Sequence, residues 1–185
     1  MRDDNRGDTY LNLGTLTTKG FEAGIEAKLT DDIFVSFNLS IINGKIKYSP
    51  SDIKEAQTQG NYVQLYSNGV FLTADSESDG LTRRSNTVNL SINYSPTDNL
   101  NFGFDVKYVG KKDDVYYDYT KGPWGALGTL AVSDYTLFDI SAKYTLTEGL
   151  SAMMKVKNLF NKNYYEILGY STRGRGIYLG LRYSL

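Results

Sequence analysis

The stretch Ile177–Leu185, read IYLGLRYSL, decides how the rest of the chain is to be read. Ile177, Leu179, Leu181, Tyr183 and Leu185 are apolar at every second position, and between them stand Tyr178, Gly180, Arg182 and Ser184. A period of two is a strand with one apolar face and one mostly polar face. In a soluble sheet, a long apolar strand at the end of the chain would be an unprotected edge and an aggregation site. A closed membrane barrel removes that hazard, because every strand is paired and lipid covers the apolar face. The stretch therefore predicts a strand of a barrel wall.

The same alternation runs upstream. Phe21, Ala23, Ile25, Ala27 and Leu29 oppose Gly20, Glu22, Gly24, Glu26 and Lys28; after Thr30-Asp31-Asp32, Ile33, Val35, Phe37, Leu39 and Ile41 oppose mostly polar neighbours. The parity changes beyond Ile41, which predicts a bulge near Asn43-Gly44. Val88 to Tyr94, Leu100 to Tyr108, Phe138 to Leu146 and Leu150 to Val156 repeat the pattern. Tight turns are expected at Thr30–Asp32, Pro96–Asn99 and Thr147–Gly149, and long connections at Ser49–Leu81, Gly110–Ser133 and Asn161–Gly174. About seven strands with alternately short and long connections form an antiparallel meander with the asymmetry of an outer-membrane barrel, whose periplasmic turns are short and outer loops long. The expected class is all-β, an incomplete segment of a larger barrel, because strands in odd number with ends on opposite sides cannot close.

Charge sorts by face. Glu22, Glu26, Lys28, Asp105, Lys107, Asp139, Lys143, Lys155, Lys157 and Arg182 all fall on the parity opposite to the apolar one. A charge facing lipid at mid-depth costs about 2–4 kcal/mol, so these are expected to face the lumen, and Ile177, Leu179, Leu181, Tyr183 and Leu185 to face lipid. Mean hydropathy of -0.38 and 41% hydrophobic residues exclude a helical membrane bundle but suit strands with one polar side. The 16 tyrosines suit a membrane–water boundary, through an apolar ring with a polar tip. Cys and His are both absent, which removes disulfides, thiolate metal sites and histidine-based catalysis. Lys+Arg 20 against Asp+Glu 21 gives no reason to invoke a nucleic-acid partner. The opening MRDDNRGD has no apolar core and reads as no signal peptide; either a signal has been removed or the chain is a piece of a longer one, and the odd strand count favours the second.

The run Val156-Lys157-Asn158-Leu159-Phe160-Asn161-Lys162-Asn163-Tyr164-Tyr165, then Arg173-Gly174-Arg175, then the alternating end, resembles the closing signature of TonB-dependent outer-membrane receptors. Tyr10-Leu11-Asn12-Leu13-Gly14 followed by Lys19-Gly20-Phe21-Glu22, and Tyr108-Val109-Gly110-Lys111, are similar to further strands of that family. The family pattern commonly ends in an aromatic, and Leu185 departs from it. The resemblance implies a parent of about 22 strands with an N-terminal plug and a TonB-contact segment. Such a parent would import siderophore-bound iron, cobalamin or a similar scarce solute, energised through TonB. Residues 1–185 would then be the C-terminal portion of that barrel, without plug or TonB box, in the bacterial outer membrane. Its partners would be outer-membrane lipid, the rest of the barrel and plug, TonB through the missing N-terminal part, and the barrel-assembly machinery through the last strand. By itself it would lack energised transport.

Two other readings stay open in the sequence. A small self-contained barrel would need an eighth strand from Met1 to Gly14, and a soluble β-domain would bind ligand or carbohydrate. Individual residues carry double readings. Tyr116, Tyr117, Tyr119 and Trp124 suit either a stacked aromatic ligand or a boundary girdle. Arg173 and Arg175 suit either an anion or a solvated loop end. Glu22, Glu26 and Asp105 read as paired wall charges before general acids, and Asn158-Leu159-Phe160 as a turn. Asp113-Asp114 and Asp75 to Asp79 match no full calcium-loop motif. No catalytic residue, metal ligand or cofactor is expected.

Overall fold

Alternating residues become paired strands throughout. The computed structural model describes residues 14–60, 66–67, 70–71, 77–79, 85–120 and 126–184. The elements are β1 (Gly14–Lys28), β2 (Ile33–Tyr48), α1 (Pro50–Thr58), β3 (Tyr66–Ser67), β4 (Val70–Phe71), β5 (Glu77–Asp79), β6 (Thr87–Thr97), β7 (Leu100–Val109), β8 (Lys112–Asp118), β9 (Ala126–Val132), β10 (Tyr135–Thr147), β11 (Leu150–Lys157) and β12 (Gly176–Tyr183). The main sheet runs β1-β2-β6-β7-β10-β11-β12, with β5 paired to β2. The expected meander of seven strands is this path, which does not close on itself among the described residues.

Register carries the sequence parity from strand to strand. Ile92 pairs with Phe104, Phe104 with Ile140, Ile140 with Val156 and Val156 with Ile177, so one row is apolar across five strands. The row beside it reads Tyr94, Phe102, Ala142, Met154 and Leu179. On the other face Ser36 pairs with Ser91, Ser91 with Asp105 and Asp105 with Asp139. A slip of one residue would exchange these faces. The register shifts lie at the short turns, between Tyr94 and Thr97 and between Thr145 and Thr147. At the first turn the Thr30 hydroxyl accepts the Asp32 and Ile33 amides (3.3 and 3.1 Å). At the last, Gly149 sits at φ 84°, a left-handed conformation that favours glycine.

The apolar face is bare. Leu179 and Leu181 are 79% and 77% exposed, Ile25 and Leu29 63% each, and Tyr94, Phe102, Ile140 and Met154 are also exposed. A sandwich would bury such residues between two sheets about 10 Å apart. Among the described residues, buried hydrophobic side chains are instead few: Val109, Val132, Tyr135 and Val156, and separately Ile53 and Ala56 on α1. The chain forms two compact units. The larger consists of Lys19–Asn43, Thr82–Asp114 and Leu130–Leu185, and the smaller of Met1–Thr18, Gly44–Leu81 and Val115–Thr129.

The long connections hold more than their length alone implies. The connection Ser49–Leu81 is not featureless. It holds α1, whose first turn is capped by the Ser49 hydroxyl accepting the Asp52 amide (3.3 Å), with Pro50 at the first helical position, and it holds the short strands β3, β4 and β5. The connection Gly110–Ser133 contains β8 and β9, paired with each other. Near Asn43-Gly44, where a bulge is expected, β2 changes partner. β2 runs unbroken to Tyr48, pairing with β6 as far as Ser40 and with β5 from Lys45. Asn161–Gly174 has no regular secondary structure, as expected. The motif Tyr10–Leu13, Trp124, Leu185, and Asp75 with Ser76 lie outside the described residues.

Candidate functional site

The polar face of the main sheet gathers all ten charged residues singled out in the sequence. Glu22 on β1 accepts the Ser40 hydroxyl at 3.2 Å, and Ser40 pairs with Thr87 in the polar row of β2 and β6. Asn89 of β6 pairs with Lys107. Asp105 stands opposite Ser91 on one side and Asp139 on the other, Lys143 opposite Asn101, Lys155 opposite Ser141, Lys157 opposite Gly176 and Arg182 opposite Ser151. Glu26 and Lys28 continue the parity of Glu22 on β1, and Lys28 Nζ lies 2.7 Å from Asp31.

Two carboxylates directly opposite each other repel, and the structure gives each its own donor. Asp105 accepts the Ser91 hydroxyl (2.7 Å) and lies 3.5 Å from Lys155 Nζ. Asp139 accepts the Asn158 backbone amide (2.8 Å). The Lys155–Asp105 pair is partly solvated and contributes about 0–1 kcal/mol.

Asn158 is the hinge of a folded corner after β11. Its φ is 51° and it is only 5% exposed. Its side-chain amide donates to the Lys162 carbonyl (2.9 Å) and more weakly to that of Arg173 (3.4 Å), while its Oδ1 accepts the Lys162 amide (2.8 Å). Asn is one of the few residues that tolerate left-handed backbone, and its side chain satisfies the turn locally. Asn161, at φ 53°, accepts the Arg175 amide at 2.9 Å. Gly174 is needed beside it, because a Cβ there would sit 2.7 Å from Asn161 Oδ1. Phe160 packs edge-on against Phe138 with centroids 5.1 Å apart.

The corner fixes one start of the connection Asn161–Gly174, and further bonds order the rest. The Thr172 hydroxyl donates to the Tyr164 carbonyl (2.6 Å), and the Tyr164 ring packs at a tilt against the buried Tyr135, with centroids 4.5 Å apart. Partial burial, then the carboxylates of Glu166 and Asp139, hold the Tyr164 phenol above the usual tyrosine range. Asp114 of β8 is fully buried, and its carboxylate accepts the Leu168 amide (2.7 Å). Sequence reading gave no such structural role to Asp114, which it met only within an incomplete calcium motif, nor to Asn161, Tyr135 or Tyr164. Only the positive-φ tolerance of Asn offered a signal.

The remaining candidates separate. Tyr117 and Tyr119 stack edge-on at 4.8 Å, with Tyr119 strongly exposed, and the Tyr116 hydroxyl donates to Asp118 (3.4 Å). Arg173 and Arg175 are both exposed, and the Arg175 guanidinium donates to the Leu159 carbonyl (3.4 Å). Among the described residues no group of three or more acidic side chains has metal-site geometry.

Residues 2–159 match the family described as TonB dependent receptor-like, beta-barrel. The chain belongs to this family. It is similar to the ferripyoverdine receptor of Pseudomonas aeruginosa, 33% identical over 75 residues that make up 40% of this chain and 9% of the receptor. It is also similar to the vitamin B12 transporter BtuB of Vibrio vulnificus, 28% identical over 177 residues, covering 83% of this chain and 26% of the transporter. The crystal structure of the P. aeruginosa ferripyoverdine receptor of the outer membrane, bound to ferripyoverdine, superposes with a TM-score of 0.65 at 22% identity, over 91% of this chain and 19% of that one. The ferric-catecholate import receptor Fiu of E. coli K12 superposes with a TM-score of 0.64 at 18% identity, over 98% and 22%. These likenesses carry the fold, a stretch of receptor barrel. The chain spans about a quarter or less of the curated relatives it matches. As a member of this family it is a protein of the bacterial outer membrane, and the family consists of transport receptors, not enzymes.

Proposed function

We propose that the sheet is a stretch of the wall of a TonB-energised receptor, with its bare apolar face against outer-membrane lipid and its charged face toward the lumen. The observation that carries this is the register: it keeps the large apolar rows on one exposed face and Asp105, Lys107, Asp139, Lys143, Lys155, Lys157 and Arg182 on the other, which Glu22 joins through Ser40. Lipid covers the first face without an unsatisfied backbone group only if the strands close with further strands. Residues 1–185 are read as the C-terminal portion of a barrel of about 22 strands. A plug and a TonB-contact segment would lie elsewhere in the full-length parent, and β12 would be the strand handled by the barrel-assembly machinery. Relatives named for ferripyoverdine and vitamin B12 support a scarce metal-bearing solute as cargo. The outer connections, with Tyr116, Tyr117, Tyr119, Trp124, Arg173 and Arg175, are read as boundary and cargo-facing residues.

The test is a chimera. Residues 1–185 replace the matching stretch of the V. vulnificus vitamin B12 transporter, and radiolabelled cobalamin uptake is followed. Uptake that is abolished by dissipating the proton gradient, with none from the exported 185-residue chain alone, is the expected result. Solute accumulation by the chain alone, or uptake by the chimera that ignores the proton gradient, contradicts the proposal.

A further inference from the structure

The apolar face of two neighbouring hairpins, β6–β7 and β10–β11, carries a groove of ≈ 340 Å³ walled by Tyr94, Phe102, Phe104, Ile140 and Met154, with Ala142 between them. Register makes the groove. Ala142 pairs with Phe102 on one side and Met154 on the other, so a single methyl stands between two long side chains. Tyr94 and Phe102 stack with ring planes 22° apart and form one flat wall. Phe104, at the far end, lies five residues beyond Asn99 of the short turn, about 17 Å along the strand. At a strand tilt of about 40° this is about 13 Å of depth, half of an apolar band about 25 Å tall. The groove therefore lies on the short-turn side of mid-depth, alongside the acyl chains of one leaflet.

Both hairpins that wall the groove end in a carboxylate. Asp98 is exposed in the β6–β7 turn and Glu148 in the β10–β11 turn. Among the described residues, neither has a cation within ion-pair distance. Lys143 and Arg182, the cations nearest these turns in register, stand on the opposite face, and Lys28 at the remaining short turn is bonded to Asp31. Between the groove and the turns stands Tyr144, opposite Leu100 and exposed, whose ring suits the apolar side of the boundary and whose hydroxyl suits the polar side. Complementary charge selects among headgroups at such a rim: a net anion beside Asp98 and Glu148 is repelled, and a cationic group is attracted. A primary ammonium also donates hydrogen bonds to a carboxylate, which a quaternary ammonium has no N–H to do.

We propose that this groove is a headgroup-selective lipid site: it holds an acyl chain of a phospholipid whose primary ammonium meets Asp98 and Glu148. The inference rests on the reading that this face meets lipid, and adds to it one place and one headgroup. Its test uses the full 185-residue chain inserted into phosphatidylcholine vesicles. A fluorophore is placed on a cysteine at Leu179, beside Met154 in register, or at Ile25 of β1, five residues from its own short turn and so at a similar depth. The vesicles are doped with phosphatidylethanolamine, phosphatidylcholine or phosphatidylglycerol carrying the same dibrominated, quenching acyl chains. At Leu179 the ethanolamine lipid should quench at a mole fraction about threefold lower than the choline lipid, the effect of one or two exposed ion pairs, and the glycerol lipid should be the weakest. At Ile25 the three should quench alike. The preference at Leu179 should vanish in Asp98→Asn/Glu148→Gln, which removes the charges, and in Ala142→Phe, which fills the groove. Circular dichroism checks the fold of each variant, and if Ala142→Phe does not insert, the charge variant is read alone. Lipid quenching at both probes without preference overturns this proposal and leaves the lipid-facing reading standing, whereas no lipid quenching at either probe overturns both. A preference for phosphatidylglycerol, a preference that survives the charge variant, or energy transfer between differently labelled chains that Ala142→Phe abolishes, which makes a second copy the occupant, also overturns it.

Discussion

Asn158 shows how much one residue carries in a structure with so few buried groups. It combines a left-handed φ of 51° with side-chain bonds to both sides of the Asn161–Gly174 connection. Asn158→Ala leaves the Lys162 amide without its acceptor and keeps the strained backbone. It should destabilise the folded chain by about 1–3 kcal/mol. Asn158→Gly relieves the strain and recovers only a part. Urea titration of the refolded protein, followed by tyrosine fluorescence, measures both, and equal stability of Asn158→Ala and the native chain would show that the corner is ornamental. That Asn158-Leu159-Phe160 makes a turn was legible, because Asn bonds its own backbone neighbours. Its partnership with Asp139, a strand away, was not, since no local pattern specifies a cross-sheet amide–carboxylate bond.

At the level of elements, alternation was enough to place the strands of the main sheet and their faces. β10 and β7 pair in register over their whole contact because Phe104, Phe102 and Val106 must share a face with Ile140, Ala142 and Phe138. The misread elements are those whose signal is not period two. α1 announces itself through a capping Ser49, Pro50, and the buried pair Ile53 and Ala56 at a spacing of one helical turn, within a stretch whose polarity reads as loop. β8 was hidden because Asp113 and Asp114 interrupt its apolar pattern; Asp114 is nevertheless buried, held by a backbone amide of a distant segment. Face assignment gives a quantitative expectation. Ile140→Lys places a charge on the apolar row, whereas Ser36→Lys places one on the polar row opposite Ser91. Refolding into phospholipid bilayers should be about 2–4 kcal/mol less favourable for the first and within about 1 kcal/mol of native for the second. Equal penalties, read from urea-dependent bilayer refolding, would mean that the two faces see the same medium.

For the whole molecule, the balance of burial is the unusual quantity. A water-soluble domain of this length hides most of its large apolar side chains, yet here Leu179, Leu181, Ile25 and Leu29 stand open. The absence of any cysteine in the native sequence makes the nature of that medium directly measurable. Single cysteines placed in turn at Leu179, Gly180, Leu181 and Arg182 of β12, and at Ile140, Ser141, Ala142 and Lys143 of β10, are labelled with an environment-sensitive fluorophore. Quenching by nitroxide-bearing phospholipids is then compared with quenching by a water-soluble agent after insertion into bilayers. Lipid quenching at 140, 142, 179 and 181 alternating with aqueous quenching at 141, 143, 180 and 182 is the result expected of a sheet whose apolar face is wetted by lipid. Uniform aqueous quenching at all eight positions, or shielding of the apolar positions from both quenchers, would contradict it.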